Sequence, residues 1–414
     1  MKKYVRTIWI LSCILFLTTA GNAQNASTSD NYDFTIKSLK TIANLSVPDC
    51  DGLALGDING DGRTDILASA STTSFVFWFE QGKTPRDWIR HLVWESHNNN
   101  KIEGNDLGDF DGDGSLEGIS LDQRQGQILL HKQMADRSWQ TAAIMENRPI
   151  LQDSFVKDLD GNGRPELIYT FEGNKEGVGG VHRLQLTGNN PLNPDHWQEH
   201  ALTPHESAWW LAPEMMNLSG AGNREADDIV YTARHLLDRN PGSRPGLFWL
   251  EPPTDKNRLW KKHDIDTTLN HPLHVDNGDF SGNGSGQDLV VGGFNTDRLY
   301  WYNFSSDWKR HSIPVPEIRG KTAKDIWNVR TLPVESNGRD VILAVPSDGN
   351  WSQMVVFEYL DGVYRGKVLK ELPYGHPMED RILFEDLNGD GTPEMIIADS
   401  GGHLLRIMEF VFRD

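Results

Sequence analysis

Cysteine is nearly missing from this 414-residue chain, which has two, and one of them, Cys13, lies in an apolar leader. Cys50 alone cannot close an internal disulfide, so a covalently stapled scaffold is excluded and rigidity must come from another source. Long hydrophobic runs are also lacking. The run over residues 8–17 follows Lys2, Lys3 and Arg6 and precedes the small residues Gly21 and Ala23, the pattern of an export signal cut before Gln24. Nothing after it reaches the roughly 18 to 20 apolar residues of a spanning helix. The expected organisation is a signal peptide over 1–23, a flexible tail over 24–32 and one folded unit over 33–414, delivered to the periplasm, cell surface or medium. Basic residues are outnumbered, with 40 Lys and Arg against 59 Asp and Glu. The formal charge of -19 becomes more negative once the leader is removed, and such a chain repels nucleic acid and anionic membrane surfaces. There is no Gly-x-Ser-x-Gly elbow, and Cys50 has no evident partner for nucleophilic chemistry.

What is abundant is a repeated phrase. An apolar run leads into Asp, a polar residue, Gly, a second polar residue and Gly, and another β-rich run follows. It reads Asp57-Ile-Asn-Gly-Asp-Gly-Arg-Thr-Asp65, Asp109-Phe-Asp-Gly-Asp-Gly-Ser-Leu-Glu117, Asp158-Leu-Asp-Gly-Asn-Gly-Arg-Pro-Glu166 and Asp386-Leu-Asn-Gly-Asp-Gly-Thr-Pro-Glu394. Worn copies start at Asn217 and Asp279, and Arg339-Asp-Val-Ile-Leu-Ala344 resembles the strand that follows each loop without the ligands before it. A period of about fifty residues gives seven units. A second landmark, Trp-x-x-His, recurs at Trp88/His91, Trp197/His200, Trp260/His263 and Trp308/His311, and these histidines read as scaffold because they keep phase with the repeat.

Aromatic and β-branched segments between the landmarks, with Gly, Asn and Asp at the turns, predict four strands per unit: A before the acidic loop, B after it, C through the aromatics and D through Trp-x-x-His. The expected fold is all-β, a seven-bladed β-propeller of four-stranded antiparallel blades. Residues 404–412 read as a final strand C with no D behind it, and residues 34–39 as a D strand with nothing before it. The N-terminal strand is therefore expected to complete the last blade, which leaves no open edge.

The acidic loops alternate oxygen donors at positions 1, 3 and 5, with a backbone carbonyl at 7 and a carboxylate at 9, a pattern that suits Ca2+. The donors are Asp57, Asn59, Asp61, Arg63 and Asp65; Asp109, Asp111, Asp113, Ser115 and Glu117; Asp158, Asp160, Asn162, Arg164 and Glu166; and Asp386, Asn388, Asp390, Thr392 and Glu394. Position 12 is never Glu, so these are not EF-hands. About four structural calcium ions are expected. The loop at 279 is weakened by Ser281 and an extra residue, and the stretches near 217 and 332 lack ligands. The loops with their following strand resemble FG-GAP/VCBS repeats, the calcium-loop blades of integrin-type propellers and secreted bacterial proteins. That resemblance implies fold and metal and leaves activity open.

If the A–B loops hold calcium on one face, the D–A and B–C connections meet on the other, around the channel mouth. There the units contribute unlike residues: Asp49, Asp51, Lys101, Glu103, Asp153, Trp209, Trp210, His271, His274, Asp325, Trp327, Glu379, Asp380, Arg381, Arg124, Tyr231, Arg234, His235, Trp351 and His403. Three functions follow. One is recognition or processing of extracellular carbohydrate, with Trp209, Trp210, His271, Trp327, Arg381 and His235 binding the ligand. Another is a lyase or sugar dehydratase in which His274 and Tyr231 serve as base and acid while Arg234 neutralises a uronate or enolate; His271-Pro-Leu-His274 before Gly278-Asp-Phe280 resembles an aldosulose-dehydratase propeller. The last is a protein-interaction scaffold without catalysis.

Overall fold

Seven antiparallel sheets follow one another along the chain in the computed structural model, which describes residues 32–96, 98, 100–172, 179–209, 211, 218, 228–234, 244–269, 271–375 and 381–413. The expected export signal and all but the last residue of the tail lie outside this range. Six sheets have four strands, five of them in simple sequence order, for example Cys50–Gly56, Asp65–Ala70, Phe75–Gln81 and Trp88–Glu95 in blade 1, and the sixth completed by the N-terminal strand. Among the described residues there is no α-helix. The fold is the seven-bladed β-propeller expected from the repeat.

Burial changes from strand to strand in a way the sequence explains. The B strands Asp65–Ala70, Glu117–Asp122, Glu166–Phe171, Asp288–Gly293 and Glu394–Asp399 are buried at every residue, because each is flanked by a sheet on both faces. Continuous apolar runs are what such a position requires. The outer strand Trp88–Glu95 is mostly solvated. The recurrent His on strand D lies over the strand C Trp of its own blade, with ring centroids 4.3 Å apart for His91 on Trp78, 3.9 Å for His263 on Trp249 and 4.1 Å for His311 on Trp301. His91 and His263 each reach a strand C glutamate at 2.8 Å, Glu80 and Glu251. The scaffold role expected of these three histidines is what the packing shows.

Two blades depart from the common plan. Blade 4 has three strands among the described residues, Ile229–Ala233, Gly246–Glu251 and Lys261–Asp266, and Leu211 makes an isolated bridge to Tyr231 where an innermost strand would pair. In blade 6 the long strands Asp325–Ser336 and Arg339–Ser347 are joined by Asn337 and Gly338, both left-handed (φ 55° and 70°). A two-residue turn of this kind matches the twist of the strands it joins and leaves no room for an ion loop.

Closure is as expected in partner and longer in extent. The closing strand runs over Ile36–Ser46 rather than 34–39, and it pairs with Leu404–Phe412 from Ile36↔Phe412 to Ser46↔Leu404. A second contact fixes its entry. The fully buried carboxylate of Glu358, on strand C of blade 6 (Ser352–Leu360), accepts the Thr35 and Ile36 amides at 2.8 and 2.9 Å and the Ser336 hydroxyl at 2.9 Å. Replacing Glu358 by Ala strands these donors, so E358A is expected to cost about 2–4 kcal/mol in urea unfolding, beyond a single ordinary hydrogen bond. A loss under about 1 kcal/mol would show that water takes over the role.

Candidate functional site

Five loops share one conformation. In each, the two glycines are left-handed, as at Gly60 and Gly62 (φ 73° and 81°), where a Cβ would be strained. The first aspartate gathers the amides that follow it: Asp57 accepts from Asp61 and Gly62 at 3.0 and 2.8 Å, and Asp386 from Gly389, Asp390 and Gly391 at 2.8, 3.1 and 2.8 Å. Asp109, Asp158 and the weakened loop's Asp279 do the same.

The carboxylate at the loop's end has a role beyond the one its spacing suggested. Asp65, Glu117, Glu166 and Glu394 are each buried at the start of strand B, and one oxygen accepts the amide of the loop's second residue, Ile58, Phe110, Leu159 and Leu387, at 2.7 to 3.3 Å. A like staple survives in the worn loops, from the second residue Leu218 to Asp228 at 2.6 Å and, displaced by one position, from the third residue Ser281 to Asp288 at 2.7 Å. Burial pushes the Glu117 and Glu166 carboxyls up to about 7, against the pull of Lys132 on Glu117 and of a backbone amide and Arg183 on Glu166. In blades 2 and 3 side-chain oxygens of Asp109, Asp111 and Glu117, and of Asp158, Asp160 and Glu166, converge within 4.8 Å of one another, so these clusters have the donor type and spacing for a hard cation. In blades 1 and 7 an Asn replaces one carboxylate, and the donor set remains all oxygen.

On the opposite face the described candidate residues are held by the fold. His274 is completely buried on strand A of blade 5 (Pro272–Gly278). Tyr231 is also completely buried; its hydroxyl donates to Glu206, its ring lies 5.5 Å from Phe248, and burial holds the phenol well above its usual range. Arg234 lies 3.3 Å over the Trp209 ring, with its guanidinium 2.7 Å from Glu172. Trp209 thus has a cation on its ring and packs against the core that includes Val230 and Val275. His271 is half-buried, and Trp327 meets Phe294 edge-on at 4.9 Å. Trp210 and His235 lie outside the described residues.

Arg381, expected to bind a ligand, instead spans the axis. From the start of blade 7 its guanidinium reaches Asp106 of blade 2 at 3.0 Å and Asp153 of blade 3 at 3.2 Å, and it donates to the Ser154 carbonyl at 2.5 Å. All three charged side chains are buried. The correction has a simple cause: a ring brings residues hundreds of positions apart onto one axis, and a buried guanidinium there needs carboxylates. Beyond this bridge, toward the acidic-loop face, lies a funnel of about 330 Å³ lined by Leu55, Leu107, Val156, Leu383, Phe384 and Glu385, with Asp106 and Arg381 also on its wall. Four of these residues stand two positions before a loop's first aspartate. That repeated apolar position was the available signal, and it was read only as strand.

Burial pushes the Asp153 carboxyl up to about 6, although Arg381 opposes the shift. A native value above the unfolded one of about 3.9 means that this site supports the fold fully below about pH 4 and loses that support as pH rises through 6. Replacing Arg381 with Met removes the opposing charge. R381M is expected to cost about 3–5 kcal/mol at pH 8 and distinctly less at pH 5, where the carboxyls can take up protons. Equal losses at both pH values, in urea titrations, would reject the charge bridge.

Residues 40–120 match the family model described as an FG-GAP-like repeat. No curated protein matches the chain. Among solved structures, Saccharomyces cerevisiae Sqt1 aligns with a TM-score of 0.54 at 9% identity, covering 91% of this chain and 100% of that one. The Dos1 propeller aligns at 0.51 and 11% identity over 91% and 95%. Chaetomium thermophilum Sqt1 bound to the N-terminus of the ribosomal protein L10 aligns at 0.50 and 9% over 90% and 100%. At such identities the likeness is one of architecture. With the seven sheets and these likenesses agreeing, the chain is a seven-bladed β-propeller, and its residues 40–120 are similar to an FG-GAP-like repeat.

Proposed function

We propose that the protein is an exported, calcium-stabilised recognition propeller that binds a polypeptide partner and is not a catalyst. The observation that carries this reading is the axial funnel, an opening of about 330 Å³ on the acidic-loop face whose wall sets Leu55, Leu107, Val156 and Phe384 beside Asp106, Arg381 and Glu385. It has room for one side chain of a partner, which would meet both apolar and charged groups, in the manner of a hot-spot pocket. Against catalysis stands the burial of His274 and Tyr231, since a base and an acid must reach a proton on the substrate. Against sugar stacking stands the covered ring of Trp209. Chaetomium thermophilum Sqt1, of similar architecture, is bound to a segment of another protein.

Calcium belongs to the same reading. The loops of blades 1 and 7 would hold it through Asp57, Asn59, Asp61 and Asp65, and through Asp386, Asn388, Asp390 and Glu394, with the carbonyls of Arg63 and Thr392. Its contribution there is rigidity, because protein oxygens fill the ligand positions and leave none open for a substrate.

Two experiments test the proposal. Selection from a displayed peptide library should enrich binders that lose affinity at least tenfold when Leu107, on the funnel wall, is replaced by Glu. Enrichment of none, with binding on a glycan array, would replace the polypeptide by a sugar; ultraviolet-absorbing unsaturated ends released from uronate polysaccharides would make the protein a lyase. Chelation should lower the melting temperature by several degrees, as expected when ligands of the native state are removed. A melting temperature indifferent to both chelator and added calcium would sink the metal part.

A further inference from the structure

The four complete loops differ at their third position, and the difference tracks a residue on strand C. Asn59 and Asn388 stand there in blades 1 and 7, whereas Asp111 and Asp160 stand there in blades 2 and 3. Strand C of blade 2, Gln127–Gln133, carries Lys132, whose ammonium lies 2.9 Å from Asp111, 2.9 Å from Asp113 and 2.5 Å from Glu117. These are the loop's third, fifth and ninth positions, three of the five expected metal donors. Strand C of blade 3, Gly180–Leu186, carries Arg183, which is 1% exposed and lies 2.8 Å from Asp160 and 2.7 Å from Glu166, the third and ninth positions there.

Among the described residues, strand C carries no such base in the other two blades. Strand C of blade 1, Phe75–Gln81, contains neither Lys nor Arg, and Glu80 sits one residue beyond the Ile66↔Phe79 pair. Strand C of blade 7, Leu404–Phe412, has only Arg406, which is committed to Asp399 at 2.5 Å and to Asn44 at 3.2 Å. The cation near the blade 1 loop is Arg63 of the loop itself, partly exposed and holding Asp61 alone among the loop carboxylates.

We propose that Lys132 is a built-in counter-cation that takes the place of the metal ion in blade 2, so that this loop folds without calcium while those of blades 1 and 7 require it. The inference rests on the calcium reading above and divides the loops within it. An ammonium has three N–H donors, and here each finds a carboxylate, which makes three charge-assisted hydrogen bonds. A divalent ion bound by the same oxygens would lie within a few ångströms of Nζ and be repelled by it. The Lys132 side chain is only 15% exposed, so the ammonium has little freedom to swing into water. Arg183 repeats the arrangement at two donor positions and shows that an acidic third position coincides with an internal base.

The test counts bound calcium per chain, by equilibrium dialysis with elemental analysis, for the full protein and three variants. Asp57→Asn should lose one ion and Asp109→Asn none. Lys132→Met should gain one, and its melting temperature should rise more than the wild type's on adding calcium. Loss of an ion in Asp109→Asn, or a folded Lys132→Met with an unchanged count, would overturn the role of Lys132 and leave the calcium reading intact. If Lys132→Met does not fold, the Asp109→Asn count decides. A wild type that binds no calcium sinks both.

Discussion

Everything in this molecule depends on the ring being closed. A blade left without its outer strand would expose a row of unpaired backbone groups, and the packing of each sheet on its neighbours would end at an open face. Pairing of Ile36–Ser46 with Leu404–Phe412 removes that edge. Glu358 then fixes the entering strand against blade 6, and Arg381 ties blade 7 across the axis to blades 2 and 3. Three contacts from three parts of the chain therefore act on one seam. The stability of each is coupled to the others, because none of them forms unless the ring is complete.

The same closure explains why the polar residues near the axis are poor candidates for chemistry. Inner strands converge there, and a charge brought into that space must be paired with another or displaced from it. Arg381, Asp106 and Asp153 are paired, Tyr231 is bound to Glu206, and His274 has no exposure. Among the described residues the funnel on the loop face opens on the axis, with Leu107 and Val156 beside Asp106, Arg381 and Glu385. The recognition proposed above therefore falls on the side of the molecule that the repeat builds rather than on the side where the repeat varies.

The backbone staple of the loops and their proposed ion binding separate physically. The bond from the terminal carboxylate to the second residue's amide holds the loop onto strand B, and it persists where the ion ligands have worn away, as at Asp228 and Asp288. Holding the proposed ion is a further demand, and it falls on the alternating oxygens. A loop can lose the second function and keep the first. Blade 6 shows the limit, where a two-residue turn dispenses with both.

Strand order, blade number, the loop positions and the completing role of the N-terminal strand were legible in the residues, because each depends on local periodicity: apolar runs for B strands, Asx and Gly at fixed offsets for loops, an aromatic and His in phase for the outer strands. The scaffold role of His91, His263 and His311 was readable for the same reason. Spacing could not say what Arg381, Tyr231 and His274 do, nor that Lys132 reaches the loop of blade 2. A side chain's role there is set by partners that lie far off in sequence, such as Asp106 for Arg381, and by how much water the surrounding blades exclude. Repetition writes local structure into the chain many times over; the company a charge keeps in the interior is decided only once the sheets have closed around it.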